Sequence, residues 1–266
     1  MIDAHVHIER GPYTLDWLKR FISTAISRKI TEIHFLEHSF RFTEFKDIYN
    51  EAIAHPRYGN RQKDWLEKRA TLSLSDYQRL ILKTRQEVFP VKVMFGLEVC
   101  YFPGMETQIK AALCGFNWDF MTGAIHWING WGFDHKESVA EWKLVDVNAV
   151  YRDYYNEMML LVKSGIFTHL AHPDSIKCFK YHPSENFSET YTMLASKLAK
   201  NGMYAEISGG LKLNYGLDAI GPCQGLLSSF AAHHVKLIAA SDAHKPEDVG
   251  CYILEAENII KNCQTK

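Results

Sequence analysis

Residues 2–8 read Ile2-Asp3-Ala4-His5-Val6-His7-Ile8, a short apolar run with two histidines at alternate positions near its end. Alternation with period two over so few residues predicts a β-strand, with His5 and His7 on one face. An amphipathic stretch follows, and this pairing of short apolar run and longer amphipathic segment recurs along the chain. The pattern predicts strands over 2–8, 32–37, 92–100, 119–127, 167–171, 203–208 and 236–241. It predicts helices over 14–28, 72–88, 105–113, 148–164, 187–200, 223–233 and 247–262. Thr14 stands where it can cap the first helix, Gly165 ends the fourth after Lys163, and Gly202 ends the fifth after Lys200. Repeated β-α units call for a parallel sheet, and seven of them suggest closure into an α/β barrel. A doubly wound open sheet has the same periodicity.

The 266 residues suit one barrel-sized domain, 1–266. Hydrophobic residues make up 47% and charged residues 23%, the composition of a globular enzyme. A net charge of −1 and a pI near 6.9 give no positive excess, which argues against nucleic-acid and membrane partners and leaves a small substrate held by a local pocket. No apolar run is long enough to span a bilayer, and the first residues have neither a basic nor an apolar leader region. The six cysteines are scattered without CxxC spacing and read as reduced thiols, so the expected location is the cytoplasm. Oligomeric state is not legible. Two connections, 38–71 and 128–147, are longer than a barrel needs and carry many aromatic and charged groups. Both follow strands, on the face where barrel sites sit, so they are expected to lie over the active-site face.

Six histidines and two carboxylates fall at strand ends. His5 and His7 close strand one, His38 strand two, His126 strand four and His172 strand five; His244 follows strand seven. Glu98 lies near the end of strand three and Asp242 ends strand seven. In a parallel barrel these ends meet on one face, so residues distant in sequence converge. Imidazoles and carboxylates together form the ligand set for zinc, iron or manganese. Closely spaced carboxylates also need cations nearby if they are to stay ionised together. The other histidines, His34, His55, His169, His182, His233 and His234, read as structural, and His135 as an exposed loop residue, with substrate contact as its alternative.

Asp3-Ala4-His5-Val6-His7 resembles the opening motif of the PHP (polymerase and histidinol phosphatase) domain. The later motifs follow in order: Glu37-His38, Gly96-Leu97-Glu98, Ala124-Ile125-His126, Ala171-His172-Pro173 and Ser241-Asp242-Ala243-His244. The run from Ser241 to Gly250, and His126-Trp127-Ile128 followed by Gly130-Trp131-Gly132-Phe133-Asp134, look most like the histidinol-phosphatase branch. The resemblance implies a distorted (β/α)7 barrel holding two or three divalent metal ions. It implies that His5, His7, Glu98 and Asp242 hold the first. Glu98 would bridge to a second, completed by His126 and His172, and His38 and His244 would hold a third. Relatives often have a further ligand a few residues after His7. Here Glu9, which shares the parity of His5 and His7, is the candidate.

Phosphate-monoester hydrolysis is among the slowest uncatalysed reactions, with enzymatic accelerations up to about 10^21-fold. The expected mechanism is attack by a metal-bridging hydroxide, with His5, His7, Glu98, Asp242 and His244 as the catalytic set. A dianionic phosphate also needs a fixed cation, and Arg41, Lys177, Lys180 and Lys212 are candidates. The branch resemblance points to L-histidinol phosphate, hydrolysed in histidine biosynthesis. Asp134 or Glu206 would then meet its amine, and Trp131 or Phe40 would cover its ring. The alternatives are a nucleotide or phosphotyrosine substrate on the same fold, a non-catalytic metal-binding scaffold, and a metal-dependent amidohydrolase.

Overall fold

The structure, a computed structural model, describes residues 1–264. Seven parallel strand positions run around a ring in sequence order. The first three are β1 (Ile2–Val6), β2 (Glu32–Phe35) and β3 (Lys92–Phe95), which pair as one sheet. β4 (Glu98–Cys100) continues β3 and begins a second sheet, with β5 (Thr122–Ala124) beside it. After β6 (Trp127–Ile128) and β7 (Trp131–Gly132), an antiparallel hairpin, the second sheet resumes with β8 (His169–Leu170), β9 (Tyr204–Ser208) and β10 (Lys236–Ala240).

The two sheets join at both seams. At the first, the expected strand 92–100 breaks at Gly96–Leu97 because the chain there passes against the neighbouring strand. A Cβ at Gly96 would lie 2.5 Å from the Phe120 carbonyl oxygen. The hydrogen bonds nevertheless carry through: Gly96 N–H donates to Phe35 O at 2.9 Å and Glu98 N–H to Glu37 O at 2.9 Å. At the second seam His7 N–H donates to Ala243 O at 2.8 Å, and Val6 pairs in parallel with Ala243. Asp3 fastens this closure. Its fully buried carboxylate accepts from Ser241 N–H at 2.9 Å, Ser241 Oγ at 2.7 Å and Gly250 N–H at 2.8 Å.

Helices cover the outside. Helix Leu15–Ser27 buries Leu15, Leu18, Phe21, Ile22 and Ala25, the one-sided stripe that helical spacing requires. Thr14 Oγ1 caps it by accepting from Trp17 N–H. Asp146 caps helix Val147–Lys163 in the same way, and Gly202 ends helix Ser188–Asn201 at φ +62°. The last expected helix is shorter than its pattern: Pro246–Asp248 forms one 3-10 turn and the α-helix runs Ile253–Gln264. The expected strand 119–127 divides into β5 and the start of the hairpin. Segment 38–71 is not a bare loop but holds helices Asn50–Ala54 and Gly59–Glu67, and helix Gly210–Tyr215 had no periodic signal. None of the helices is long and apolar enough to cross a membrane among the described residues.

The hairpin is pinned from below. Glu157, on helix Val147–Lys163, accepts from the N–H of Asn129, whose φ is +49°. Burial pushes the Glu157 carboxyl from 4.5 up to about 8, and Glu51 and Asp153 add to the shift. A carboxyl raised in the folded state stabilises fully below its ordinary pKa, and that contribution is lost as pH rises through about 8. We therefore predict that the stability of Glu157→Gln rises relative to wild type between about pH 5 and 9, by on the order of 1–3 kcal/mol. Denaturant midpoints across that range test it. A constant difference would mean that Glu157 does not take up its proton in this window.

Candidate metal centre

The strand ends deliver the histidines as the parity of β1 requires. His5 and His7 project inward from β1, and His38 bridges in parallel to Glu98 at the start of β4. His126 follows β5, His172 follows β8, and Asp242 and His244 follow β10. Two of these residues adopt a conformation that costs free energy: His172 has φ +24° and Asp242 φ +57°. Gly210 makes room for the second, since a Cβ there would meet Asp242 Oδ2 at 2.1 Å.

Glu98 is the centre, fully buried, with its two oxygens facing different partners. Oε1 lies 3.0 Å from His126 Nε2 and 2.9 Å from His172 Nε2. Oε2 lies 2.6 Å from His38 Nδ1, 3.4 Å from His7 Nε2 and 3.6 Å from His5 Nε2. Asp242 Oδ1 stands 3.7 Å from His5 Nε2 and 3.8 Å from His7 Nε2. The potential ligand atoms form overlapping groups: His5, His7 and Glu98; His38, Glu98 and His126; His7, His38 and His244. His38 thus reaches toward Glu98 as well as toward His244, so the groups share His7 and His38 in addition to the Glu98 bridge that the resemblance implied.

These donors fit a cation better than they fit one another. Glu98 Oε2 and His38 Nδ1 are buried with no partner in hydrogen-bond geometry despite their closeness. His5 Nε2 and His7 Nε2 point at one another from 2.9 Å, an arrangement that puts two lone pairs on one spot when each ring carries its proton on Nδ1, as metal binding through Nε2 requires. Burial opposes charge on Glu98, but the His38 and His5 rings outweigh it and hold its pKa well below the ordinary carboxylate range. Burial, with the His38 and His244 rings beside it, keeps His7 well below its ordinary pKa and so neutral. A neutral imidazole and an ionised carboxylate are the forms that bind divalent metals.

Two more carboxylates orient the rings from behind. Glu206 accepts from His5 Nδ1 at 2.9 Å and from the backbone N–H of His172 at 3.1 Å. Asp134 accepts from His126 Nδ1 at 2.6 Å. Each leaves Nε2 as the atom aimed into the cluster, the pattern by which outer carboxylates fix the tautomer of metal-binding histidines. Asn214 Nδ2 donates to Asp242 Oδ2 at 3.1 Å.

The remaining sequence candidates scatter. Glu206 is fully buried with both oxygens engaged, so it does not face substrate. Trp131 is packed in the hairpin, its indole N–H donating to Glu141 at 2.7 Å. Lys177 Nζ is taken up by Asp174 at 2.8 Å and Gly221 O at 2.9 Å, and Lys212 pairs with Glu255 at 3.7 Å over the Tyr252 ring. Arg41 Nε lies 3.9 Å from Glu9 and lines a separate surface groove. Glu9 Oε1 is 3.8 Å from His244 Nε2, beside the histidine groups rather than within them. A cleft of about 420 Å³ opens over the cluster, and its cations are Arg10, Arg69 and Lys136. The sequence reading missed all three, because charged residues in loops carry no periodic signal. His135 is also a cleft residue, its ring stacked on Trp65 at 4.5 Å.

The PHP domain family matches residues 3–209. A "Probable histidinol-phosphatase" of Deinococcus radiodurans is 29% identical over 170 residues, spanning 64% of this chain and 64% of that protein. A crystal structure of a hisK protein from Listeria monocytogenes superposes with a TM-score of 0.71 at 17% identity, covering 95% of this chain and 98% of that one. The histidinol phosphate phosphatase of Lactococcus lactis, solved with zinc, L-histidinol and phosphate, gives 0.69 at 18% identity, covering 99% and 93%. At these identities the two structures speak to the fold alone.

Glu206 supplies the sharpest test of the centre. Replacing it with Ala frees the His5 ring and the His172 backbone, so metal affinity is expected to fall about 10–100-fold with the fold retained. Titration of the stripped protein with zinc, followed by calorimetry, measures it. Unchanged affinity would reduce Glu206 to a packing residue.

Proposed function

The chain belongs to the PHP domain family, and from that premise we propose that it is a metal-dependent phosphomonoesterase that splits L-histidinol phosphate into L-histidinol and phosphate. The observation that carries the reading is Glu98: one buried carboxylate, each oxygen facing its own set of ring nitrogens, behind histidines that line a cleft also presenting cations. Likeness to the Deinococcus and Lactococcus proteins supports the choice of substrate.

His5, His7, Glu98, Asp242, His126, His172, His38 and His244 would hold two or three divalent ions, with Glu98 shared between them. When bound, such ions neutralise charge on the phosphoryl oxygens and activate water for in-line attack. The chain's own groups do the rest. Glu206 and Asp134 keep His5 and His126 in the required tautomer, and Asn214 holds Asp242. Arg10, Arg69 and Lys136 offset the charge of the arriving dianion. Asp134 Oδ1 is left for the substrate's amine, which would cost several kcal/mol to bury without a carboxylate. Phe40, Trp65 and Trp127 wall the cleft and limit water. These walls favour a small phosphate ester over a phosphotyrosine presented on a protein surface.

Two outcomes follow. In a comparison of kcat/KM among L-histidinol phosphate, AMP, phosphotyrosine and p-nitrophenyl phosphate, the first is preferred by at least about tenfold, roughly 1.4 kcal/mol in transition-state binding. Absence of that preference defeats the substrate assignment. Glu9→Gln is expected to lower metal content and slow turnover about 10–100-fold. Full occupancy and full rate in that variant would assign Glu9 to pairing with Arg41 alone.

A further inference from the structure

The proposed substrate carries a flat heteroaromatic ring, and the cleft offers five rings that could receive it: Phe40, Trp65, Trp127, His135 and Tyr215, beside the cluster histidines. Four of them are already covered. The Trp65 ring has His135 stacked at 4.5 Å and the Arg69 guanidinium carbon 3.9 Å above it. Phe40 stacks on His38 at 4.5 Å and meets the edge of Trp65 at 4.9 Å, leaving it 9% exposed. Trp127 is 1% exposed, enclosed by Tyr49, Phe102 and His135.

Tyr215 differs. It is 37% exposed and ends the short helix Gly210–Tyr215, which follows β9 and sets Asn214 and Tyr215 in the cleft lining. Its hydroxyl end is anchored, donating to Asp134 O at 3.3 Å, and Phe179 meets the ring at 5.8 Å at a steep angle, with no stacked ring or cation on its faces among the described residues. Its neighbour Asn214 binds Asp242, so the same turn of helix touches both the cluster and the backbone of Asp134, the residue whose carboxylate is available for the amine. Resting on the function proposed above, we infer that Tyr215 is the specificity residue, the platform on which the imidazole of the substrate stacks while the phosphate lies over the histidine cluster.

The test pairs L-histidinol phosphate with 2-aminoethyl phosphate, which has the phosphate and the amine but no ring. Wild type, Tyr215→Leu and Tyr215→Phe are compared by the ratio of kcat/KM for the two substrates. We expect Tyr215→Leu to reduce that ratio about tenfold, mainly through KM, the scale of one good aromatic pair. Tyr215→Phe, which keeps the ring, is expected to retain the wild-type ratio. If wild type prefers the ring-bearing substrate and Tyr215→Leu keeps that preference, the inference is overturned and the phosphatase reading stands. If wild type itself shows no preference, the substrate reading fails first, and wild type alone reveals it. Should Tyr215→Leu not fold, Tyr215→Met keeps the bulk without the ring, and the same ratio decides.

Discussion

A carboxylate held away from water needs opposite charge or hydrogen-bond donors on every side, and Glu98 sets that demand for the whole molecule. No single strand can meet it. The nitrogens around Glu98 come from the ends of β1, β2, β5 and β8, so those ends must arrive together within a few ångströms. Closure of the ring is what brings them there, and the closure has its own fastening in Asp3. The break at Gly96–Leu97 belongs to the same design. It lets the third strand position pass Phe120 and turn Glu98 into the centre.

Most of this was legible in the sequence because it depends on period. Seven apolar runs became seven strand positions in ring order, and the parity of His5 and His7 placed both rings inside. Glu98, His126, His172 and Asp242 were legible for the same reason: residues at strand ends in a parallel barrel share one face. What escaped lacks a period. The hairpin β6–β7 is four residues of strand, and helix Gly210–Tyr215 is too short to show an apolar stripe. Glu206 shows a different limit. Its place on β9 was readable, but whether a carboxylate there faces substrate or the back of a histidine depends on distances of about one atom. The cations failed similarly, since Lys177 and Lys212 turned to partners in the fold while Arg69, in segment 38–71, turned to the cleft.

The cleft walls are unusual in how little of their aromatic surface is free. Rings there pack on each other and on the cluster: Phe40 on His38, His135 on Trp65, Trp127 against His135. Such packing holds His38 in position at low entropic cost, because a ring fixed on both faces has few rotamers left to lose. The walls therefore act first as a brace for the histidines and only second as a surface for ligand. On the proposed function, recognition would fall to groups at the rim, on the short helix and in the loops.

The fastening between Asp3 and Ser241 joins residues 238 apart in the chain. During synthesis, at about 5–20 residues per second, the N-terminal strand emerges on the order of 10–50 s before its partner. Throughout that interval β1 can pair only with β2, its other edge stays open, and His5 and His7 stand without Asp242. Until β10 arrives the chain lacks Asp242 and His244, so the complete cluster waits for the closing strand. Ribosome-bound chains truncated before β10 would expose that open edge of β1 to chaperones and to other nascent chains.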